Sequence, residues 1–164
     1  MNVYLLRHGD AEEGGAGSDA ERRLTEDGRS ALQRAQPTWQ RVVGRVDRIY
    51  TSPLVRAKET AKVFAEAVGF TAAFEEVDCL APDAEPEGVA RLVLADAADG
   101  RGAVAFVGHE PNLGQVLAFL LQGQGAIPLE KGMVVGVRME SGTSLGGRLL
   151  CCLGSSLAAE LGPR

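Results

Sequence analysis

The fold and the chemistry of this protein are indicated by its first ten residues, Met1-Asn2-Val3-Tyr4-Leu5-Leu6-Arg7-His8-Gly9-Asp10. The continuous apolar run at residues 3–6 predicts a central β-strand that is buried on both faces. In an open α/β sheet, ligands bind just beyond the carboxyl ends of the strands, where Arg7, His8 and Gly9 follow. We therefore predict an anion site here, since Arg7 offers a planar donor fork and His8 titrates near neutral pH.

These three residues also fit a plainer interpretation. His8 could merely cap the strand, and Arg7 could be a solvated surface charge. Gly9 is expected to let the backbone adopt a positive φ and approach a ligand closely. Residues elsewhere in the chain have to distinguish a functional site from an ordinary strand end.

The composition is that of an ordinary globular protein. Of the 164 residues, 45% are hydrophobic and 24% are charged, and we expect one domain over residues 1–164. The formal net charge of −5 argues against nucleic-acid binding through a basic surface. Without an apolar stretch of membrane-spanning length or a leader pattern, a cytoplasmic protein is expected. Cys79, Cys151 and Cys152 are interpreted as small buried hydrophobes rather than disulfide partners.

Hydrophobic periodicity predicts strands that alternate with helices. Beyond the first strand, strands are expected over residues 46–52, 71–77, 102–107, 133–139 and 148–153. Helices are expected to begin after Thr25, at Pro53, at Gly88 and at Leu113. This order predicts an α/β fold, a three-layer sandwich in which helices cover both faces of a mostly parallel sheet and an antiparallel hairpin comes last.

The sequence also predicts several local features. Pro37 should bend the first helix or split it in two, and Val42 should lie on the buried face of that helix. Gly69 should end the second helix. The remaining segments are expected to be a loop at residues 11–21, a hairpin turn at residues 142–146 and a tail at residues 155–164.

Chemically reactive or charged residues follow three of the predicted strands. Arg7 and His8 follow the first strand, Arg56 lies just beyond the second, and His109 follows the fourth. The chain has only two histidines, and both come directly after a buried strand. Because the ends of parallel strands converge at one edge of a sheet, we expect these side chains to form one site.

This pattern resembles a known family. The order of three segments is typical of the histidine phosphatase superfamily, also called the phosphoglycerate mutase-like family: Arg7-His8-Gly9, Thr51-Ser52-Pro53-Leu54-Val55-Arg56-Ala57 and Gly108-His109. Within that superfamily the chain is more narrowly similar to the SixA-type phosphohistidine phosphatases. That similarity rests on the short length and on Arg7-His8-Gly9-Asp10-Ala11, Arg22-Arg23-Leu24-Thr25 and Gly108-His109-Glu110-Pro111-Asn112.

The resemblance implies a metal-independent phosphatase that needs no cofactor. His8 would attack phosphorus and become transiently phosphorylated. Arg7 and Arg56 would clamp the phosphoryl oxygens, and His109 would be a further donor to them. Four more residues are expected to bind substrate: Arg22, Ser52, Gly9 and Asn112.

The sequence leaves two assignments open within this site. Either Arg22 or its neighbour Arg23 could contact the phosphate, and Ser52 could equally serve only to form a turn. The general acid could be one of three carboxylates or could be absent altogether. The three carboxylates are Asp83, Glu85 and Glu87.

The expected substrate is a phosphohistidine-bearing protein, and the alternative is a small phosphorylated metabolite such as a sugar phosphate. A third hypothesis is a non-catalytic phosphate-binding module, but the presence of both His8 and His109 argues against it. We expect neither nucleic acid nor a membrane as a partner. The oligomeric state is open, with a monomer favoured.

Overall fold

Strands and helices alternate along most of the chain in the computed structural model, which describes residues 1–13, 18–123, 127–140 and 146–162. The strands are β1 (Asn2–Arg7), β2 (Arg48–Thr51), β3 (Glu75–Glu76), β4 (Ala103–Gly108), β5 (Val134–Met139) and β6 (Gly147–Leu153). The helices are α1 (Glu26–Val43), α2 (Val55–Val68), α3 (Pro86–Ala98), α4 (Asn112–Leu120) and α5 (Ser155–Glu160).

The strands form one sheet in the order β3-β2-β4-β1-β5-β6. Strands β1, β2, β3 and β4 run parallel to one another, whereas β5 is antiparallel to β1 and β6 is antiparallel to β5. The predicted mostly parallel sheet with a C-terminal hairpin is therefore confirmed. Residues 142–145 of the predicted hairpin turn lie outside the described residues.

The apolar run in β1 is continuous because each face of the sheet is covered by helices. Tyr4 and Leu6 belong to a buried cluster with side chains of α1, α2 and α5. Val3 and Leu5 point the other way and belong to a second cluster with side chains of α3 and α4. This confirms the three-layer sandwich, and it explains why residues 3–6 do not alternate between apolar and polar.

Helix α1 begins as predicted but differs from the prediction further along. The Thr25 hydroxyl accepts a hydrogen bond from the Gly28 amide at 2.9 Å, which caps the helix. Of the two expected effects of Pro37, a bend or a split, the split does not occur, because α1 is one helix over Glu26–Val43. Trp39 and Val43 are buried four residues apart, whereas Val42 is 43% exposed, so its predicted place on the buried face is also wrong.

Other elements differ from the prediction at their ends. Helix α2 begins at Val55 rather than at Pro53, and Gly69 ends it in the left-handed conformation as predicted. The strand expected over residues 71–77 is shorter in the structure. Only Glu75 and Glu76 form β3, and they pair with Tyr50 and Thr51 of β2. The expected tail contains α5, and the Thr38 hydroxyl on α1 donates to the Ala158 carbonyl at 2.6 Å.

The three cysteines are free thiols, but one of them contradicts the interpretation as a buried hydrophobe. Cys79 and Cys151 are half-buried, whereas Cys152 is exposed. Cys152 lies on β6, which forms the edge of the sheet and is covered less than the central strands. None of the helices in the described ranges is long and apolar enough to cross a lipid bilayer.

Candidate active site

The sheet order brings three strand ends side by side, since β4 lies between β2 and β1. The His8 amide donates to the Gly108 carbonyl at 3.0 Å, and the Ser52 amide donates to the Val107 carbonyl at 2.9 Å. These bonds hold the residues after β1 and β2 against the end of β4. The imidazole rings of His8 and His109 lie 4.9 Å apart between centroids, inclined at 54°.

The hydrogen bond at His8 defines which ring nitrogen is free. Its Nδ1 lies 2.7 Å from the Gly9 carbonyl oxygen, which can only accept, so Nδ1 carries the proton. Burial lowers the pKa of His8 to about 4, helped by the charges of Arg56 and Arg7 and opposed by the bond to Gly9. The ring is therefore neutral at pH 7, and Nε2 keeps an unshared electron pair.

His109 is almost completely buried and is held by Ser52. Its Nε2 lies 2.9 Å from the Ser52 hydroxyl oxygen, which also accepts from the Leu54 amide at 3.3 Å. The serine hydrogen is thus free to donate to Nε2, which favours the tautomer with its proton on Nδ1. Burial, followed by the charges of His8 and Arg56, lowers the pKa of His109 to about 3. Nδ1 is buried without a partner among the described residues, so its N–H is a hydrogen-bond donor without an acceptor.

Two arginines approach the histidines from different elements. Arg56 lies in the first turn of α2, is 4% exposed, and donates to the backbone carbonyl and the carboxylate of Asp19 at 2.7 and 2.9 Å. Arg7 ends β1 and donates through Nη1 to the Leu129 carbonyl at 2.7 Å, while its Nε is buried without a partner in the described chain. Both guanidinium groups keep N–H groups free for an anion.

Gly9 is required here for a different reason from the predicted one. It does not adopt a positive φ, so that expectation is wrong. A Cβ at this position would come within 2.8 Å of Leu32 Cδ1 on α1, so a side chain would fit only if Leu32 moved. The Gly9 amide donates to the Thr60 hydroxyl at 3.1 Å, which fixes the peptide that follows His8.

The two candidate arginines before α1 point to different partners. Arg22 donates through Nε to the Glu12 carbonyl at 2.5 Å and through Nη1 to the Asp19 carboxylate at 2.8 Å. The side chain of Arg23 is 67% exposed and donates to Glu59 at 3.1 and 3.2 Å. Of the two, Arg22 is the one that lies beside the pair of Asp19 and Arg56.

Asn112 is at the start of α4 and is fully buried, but its contacts are with the protein itself. Its side-chain amide donates to the Ala84 carbonyl at 2.5 Å, and its Oδ1 has no partner among the described residues. Asn112 therefore ties the loop that precedes α3 to the start of α4. The bond to Ala84 uses one of the two N–H groups of the Asn112 side-chain amide.

The candidate general acids lie in the same region and are exposed. In the described part of the chain, none of them makes a hydrogen bond or ion pair with Arg7, His8, Arg56 or His109. They are Asp83, Glu85 and Glu87. The structure therefore does not bring these carboxylates into contact with the histidines and arginines.

Sequence reasoning missed three residues that hydrogen-bond to candidate site residues: Asp19, Glu59 and Thr60. Glu59 and Thr60 follow Arg56 by three and four positions, so helical spacing places them on the face of α2 that carries Arg56. That signal was present in the sequence. Asp19 had no comparable signal, because it lies in a segment rich in Gly, Ala and acidic residues without helical or strand periodicity.

No metal-binding cluster accompanies the two histidines. Over the ranges that the structure describes, no group of three or more His, Cys, Asp or Glu side chains is arranged to hold a metal ion. The polar groups that converge here are neutral imidazoles and guanidinium cations, which suit an oxyanion.

Comparison with known proteins points to one family. Residues 3–81 match the family described as Histidine phosphatase superfamily (branch 1). The chain is 32% identical over 128 residues to a phosphohistidine phosphatase SixA homolog of Haemophilus influenzae, across 73% of this chain and 77% of that one. It is 29% identical over 127 residues to phosphohistidine phosphatase SixA of Escherichia coli, across 76% of each chain.

A solved structure of the protein histidine phosphatase SixA complexed with tungstate has the same fold. It superposes with a TM-score of 0.88 over 95% of this chain and 98% of that one, at 23% sequence identity. At this level of identity the likeness shows that the two chains share a fold.

Proposed function

Since the chain belongs to the histidine phosphatase superfamily, we propose that it is a SixA-type phosphohistidine phosphatase in which His8 is the nucleophile. The observation that carries the proposal is the bond from His8 Nδ1 to the Gly9 carbonyl, which leaves Nε2 free. A histidine can attack phosphorus only through an unprotonated nitrogen. Burial beside two arginines keeps His8 in that state at neutral pH.

The first step transfers the phosphoryl group to the enzyme. Nε2 of His8 forms a bond to phosphorus while the bond from phosphorus to the substrate nitrogen breaks, and the leaving imidazole keeps the electron pair and takes a proton from solvent. Arg7 and Arg56 offer N–H groups to the phosphoryl oxygens, whose charge of about −1.5 to −2 suits guanidinium partners. His109 donates to the same oxygens from Nδ1. Positioning and charge stabilisation account for most of the catalysis of such a transfer.

The second step returns the enzyme to its starting state. A water molecule attacks the phosphorus of phosphorylated His8, the bond from phosphorus to Nε2 breaks, and inorganic phosphate leaves. The electron pair returns to Nε2, and the proton lost by water passes to phosphate or solvent. The tautomer held by Gly9 is then ready for another substrate.

A phosphohistidine substrate suits a site in which the described residues place no general acid beside the histidines. The exposed carboxylates of Asp83, Glu85 and Glu87 make no contact with the histidines in the described chain. Hydrogen bonds from Arg22 and Arg56 lower the pKa of Asp19, so this carboxylate is ionised and holds no proton to give. An imidazole leaves more readily than an alkoxide, and phosphohistidine is therefore favoured over a phosphate ester.

The test compares the native protein with H8A on a protein that carries phosphate on histidine. We expect turnover by the native protein and none above background for H8A. A reaction stopped in base should leave phosphate on His8, in a bond that acid hydrolyses and base does not. Turnover by H8A, or native turnover without that adduct, would contradict the role of His8.

The choice of substrate needs a separate comparison. Phosphohistidine, phosphoserine, sugar phosphates and nucleotides should be offered to the native protein and to E26Q, a control variant that removes one negative charge at the exposed start of α1. We expect the highest kcat/KM with phosphohistidine and the same order of substrates for both proteins. Strong activity on sugar phosphates together with none on phosphohistidine would establish the alternative, a phosphatase of small metabolites.

A further inference from the structure

Asp19 joins Arg56, which the proposed reaction uses, to Arg22, which the sequence predicts to bind substrate. One carboxylate oxygen accepts from Arg22 Nη1 at 2.8 Å, and the other accepts from Arg56 Nη2 at 2.9 Å. The backbone carbonyl of Asp19 also accepts from Arg56 Nη1 at 2.7 Å. The two terminal nitrogens of Arg56 are thus both held by one residue.

A two-point contact fixes the plane of a guanidinium group. Two of the five N–H groups of Arg56 contact Asp19, which leaves three that can point to other acceptors. The Arg56 side chain is only 5% exposed, so water cannot take over this role. A buried cation needs a nearby anion to offset its desolvation, and Asp19 supplies it.

The segment that carries Asp19 is itself fastened to α2. Glu59, three residues after Arg56, accepts from the Leu24 amide at 2.8 Å and from the guanidinium groups of Arg23 and Arg29. Burial alone would raise the pKa of Glu59, but these hydrogen bonds and charges lower it, so it remains ionised. The chain that follows Asp19 is thus anchored to the same face of α2 that carries Arg56.

We propose that Asp19 is a positioning residue of the phosphoryl site, which orients Arg56 and brings Arg22 beside it. This inference rests on the proposed function, because it assigns the arginines to a phosphoryl ligand. Arg22 caps a short 3-10 helix over Asp19–Glu21 and is bound to Glu12 and Asp19. Through Asp19, the Arg22 guanidinium group is linked to the Arg56 guanidinium group, which α2 carries.

In an alternative role, the Asp19 carboxylate would compete with substrate for Arg22 and Arg56 and would be displaced when substrate binds. Two contacts argue against displacement. The peptide carbonyl of Asp19 bonds Arg56 and cannot leave unless the main chain moves, and the anchoring by Glu59 opposes that movement. The two roles predict opposite effects on affinity when the carboxylate is neutralised.

The test measures affinity for an oxyanion and steady-state kinetics on the same variants. The D19N amide keeps the shape of the Asp19 side chain but removes its negative charge. Loss of a charge-assisted hydrogen bond in a binding site weakens affinity by about tenfold or more. We expect the Kd of tungstate, measured by calorimetry, and the KM for a phosphohistidine protein to rise by about that factor, with a smaller change in kcat. Unchanged or tighter tungstate binding would overturn the proposal in favour of competition.

The matched control is E21Q, which removes the same charge two residues away. Glu21 is exposed and makes no side-chain hydrogen bond or ion pair within the described ranges. We expect native values of Kd and KM for E21Q. An equal loss in E21Q and D19N would mean that net charge rather than the arginine contacts matters, and this would contradict the proposal.

A double-mutant cycle tests the link to Arg22. If Asp19 brings Arg22 to the site, the losses in tungstate affinity for D19A and R22A are not additive, and D19A/R22A binds about as weakly as the weaker single variant. Additive losses would refute that link. Tungstate binding needs no turnover, so an inactive native protein would refute the proposed function while the assignment of Asp19 could still be tested.

Discussion

At the scale of single residues, the site depends on which nitrogen of each histidine carries the proton. The Gly9 carbonyl keeps the proton of His8 on Nδ1, and the Ser52 hydroxyl favours Nδ1 protonation of His109. One ring is then left with a free nitrogen to attack and the other with a free N–H to donate. Two histidines of the same chemical type are given complementary roles by the oxygen atoms that they contact.

The protonation of these rings can be observed directly, because the chain has only two histidines. Imidazole ¹⁵N spectra should show both rings neutral from pH 8 down to about pH 5, whereas an exposed histidine titrates near 6.5. The midpoints should fall at about 4 for His8 and about 3 for His109. H109Q assigns the signals, and a midpoint near 6.5 for His8 in the native protein would contradict its burial beside the arginines.

At the scale of elements, one face of α2 organises the polypeptide that surrounds His8. Glu59 and Thr60 follow Arg56 by three and four positions, and all three residues are buried. Arg56 binds Asp19, Glu59 binds the chain before α1, and the Thr60 hydroxyl accepts from the Gly9 amide and donates to the Arg56 carbonyl. The end of β1 is thereby connected to the helix that holds Arg56.

Thr60 offers a clean test of this connection. T60V keeps the volume but leaves the Gly9 amide without a partner, a loss of about 1–3 kcal/mol in a buried site. We expect kcat on a phosphohistidine protein to fall by about tenfold with little change in KM, because the arginines stay in place. T60S restores the hydroxyl and should return kcat close to the native value. Equal kcat values for T60V and T60S would contradict the role of this hydroxyl.

At the scale of the whole molecule, the site is held at the junction of two hydrophobic cores. The sheet separates the cluster that packs against α1, α2 and α5 from the one that packs against α3 and α4. The rings of His8 and His109 sit at the edge of this sheet, and both are buried as neutral groups. Folding is therefore coupled to keeping both imidazoles uncharged.

The coupling predicts how stability depends on pH. In the folded protein the pKa of His8 is about 4 and that of His109 about 3, both below the unfolded value of about 6.5. Between those values the unfolded chain binds more protons, so stability is lost as pH falls below 6.5, by at most about 1.4 kcal/mol per pH unit for each histidine.

Urea denaturation at pH 7 and pH 4.5 measures this loss. The double variant H8Q/H109Q lacks both imidazoles and should lose less free energy of unfolding over this interval than the native protein. Carboxylates that titrate in the same range are common to both proteins, so the difference isolates the histidines. An equal loss in the two proteins would show that the imidazoles are not buried as neutral groups.

Much of the fold follows from local patterns in the sequence. Residues 3–6 predict a strand buried on both faces, and the order of strands and helices predicts a parallel sheet with helices on both sides. Local patterns fail where long-range packing decides. Pro37 lies within an unbroken helix, β3 extends only as far as its pairing with β2, and α5 exists because it packs on α1.

The sequence by itself determined which side chains reach the site, because Arg7, His8, Arg56 and His109 each follow a strand at a position set by the chain. Only the tertiary structure decided what those side chains can do. The tautomer of His109, the lowered pKa values and the orientation of Arg56 by Asp19 come from contacts such as those 57 and 37 residues apart in the chain. The physical reason is that a pattern of residue types specifies secondary structure, whereas burial and hydrogen-bond partners arise only once distant segments meet.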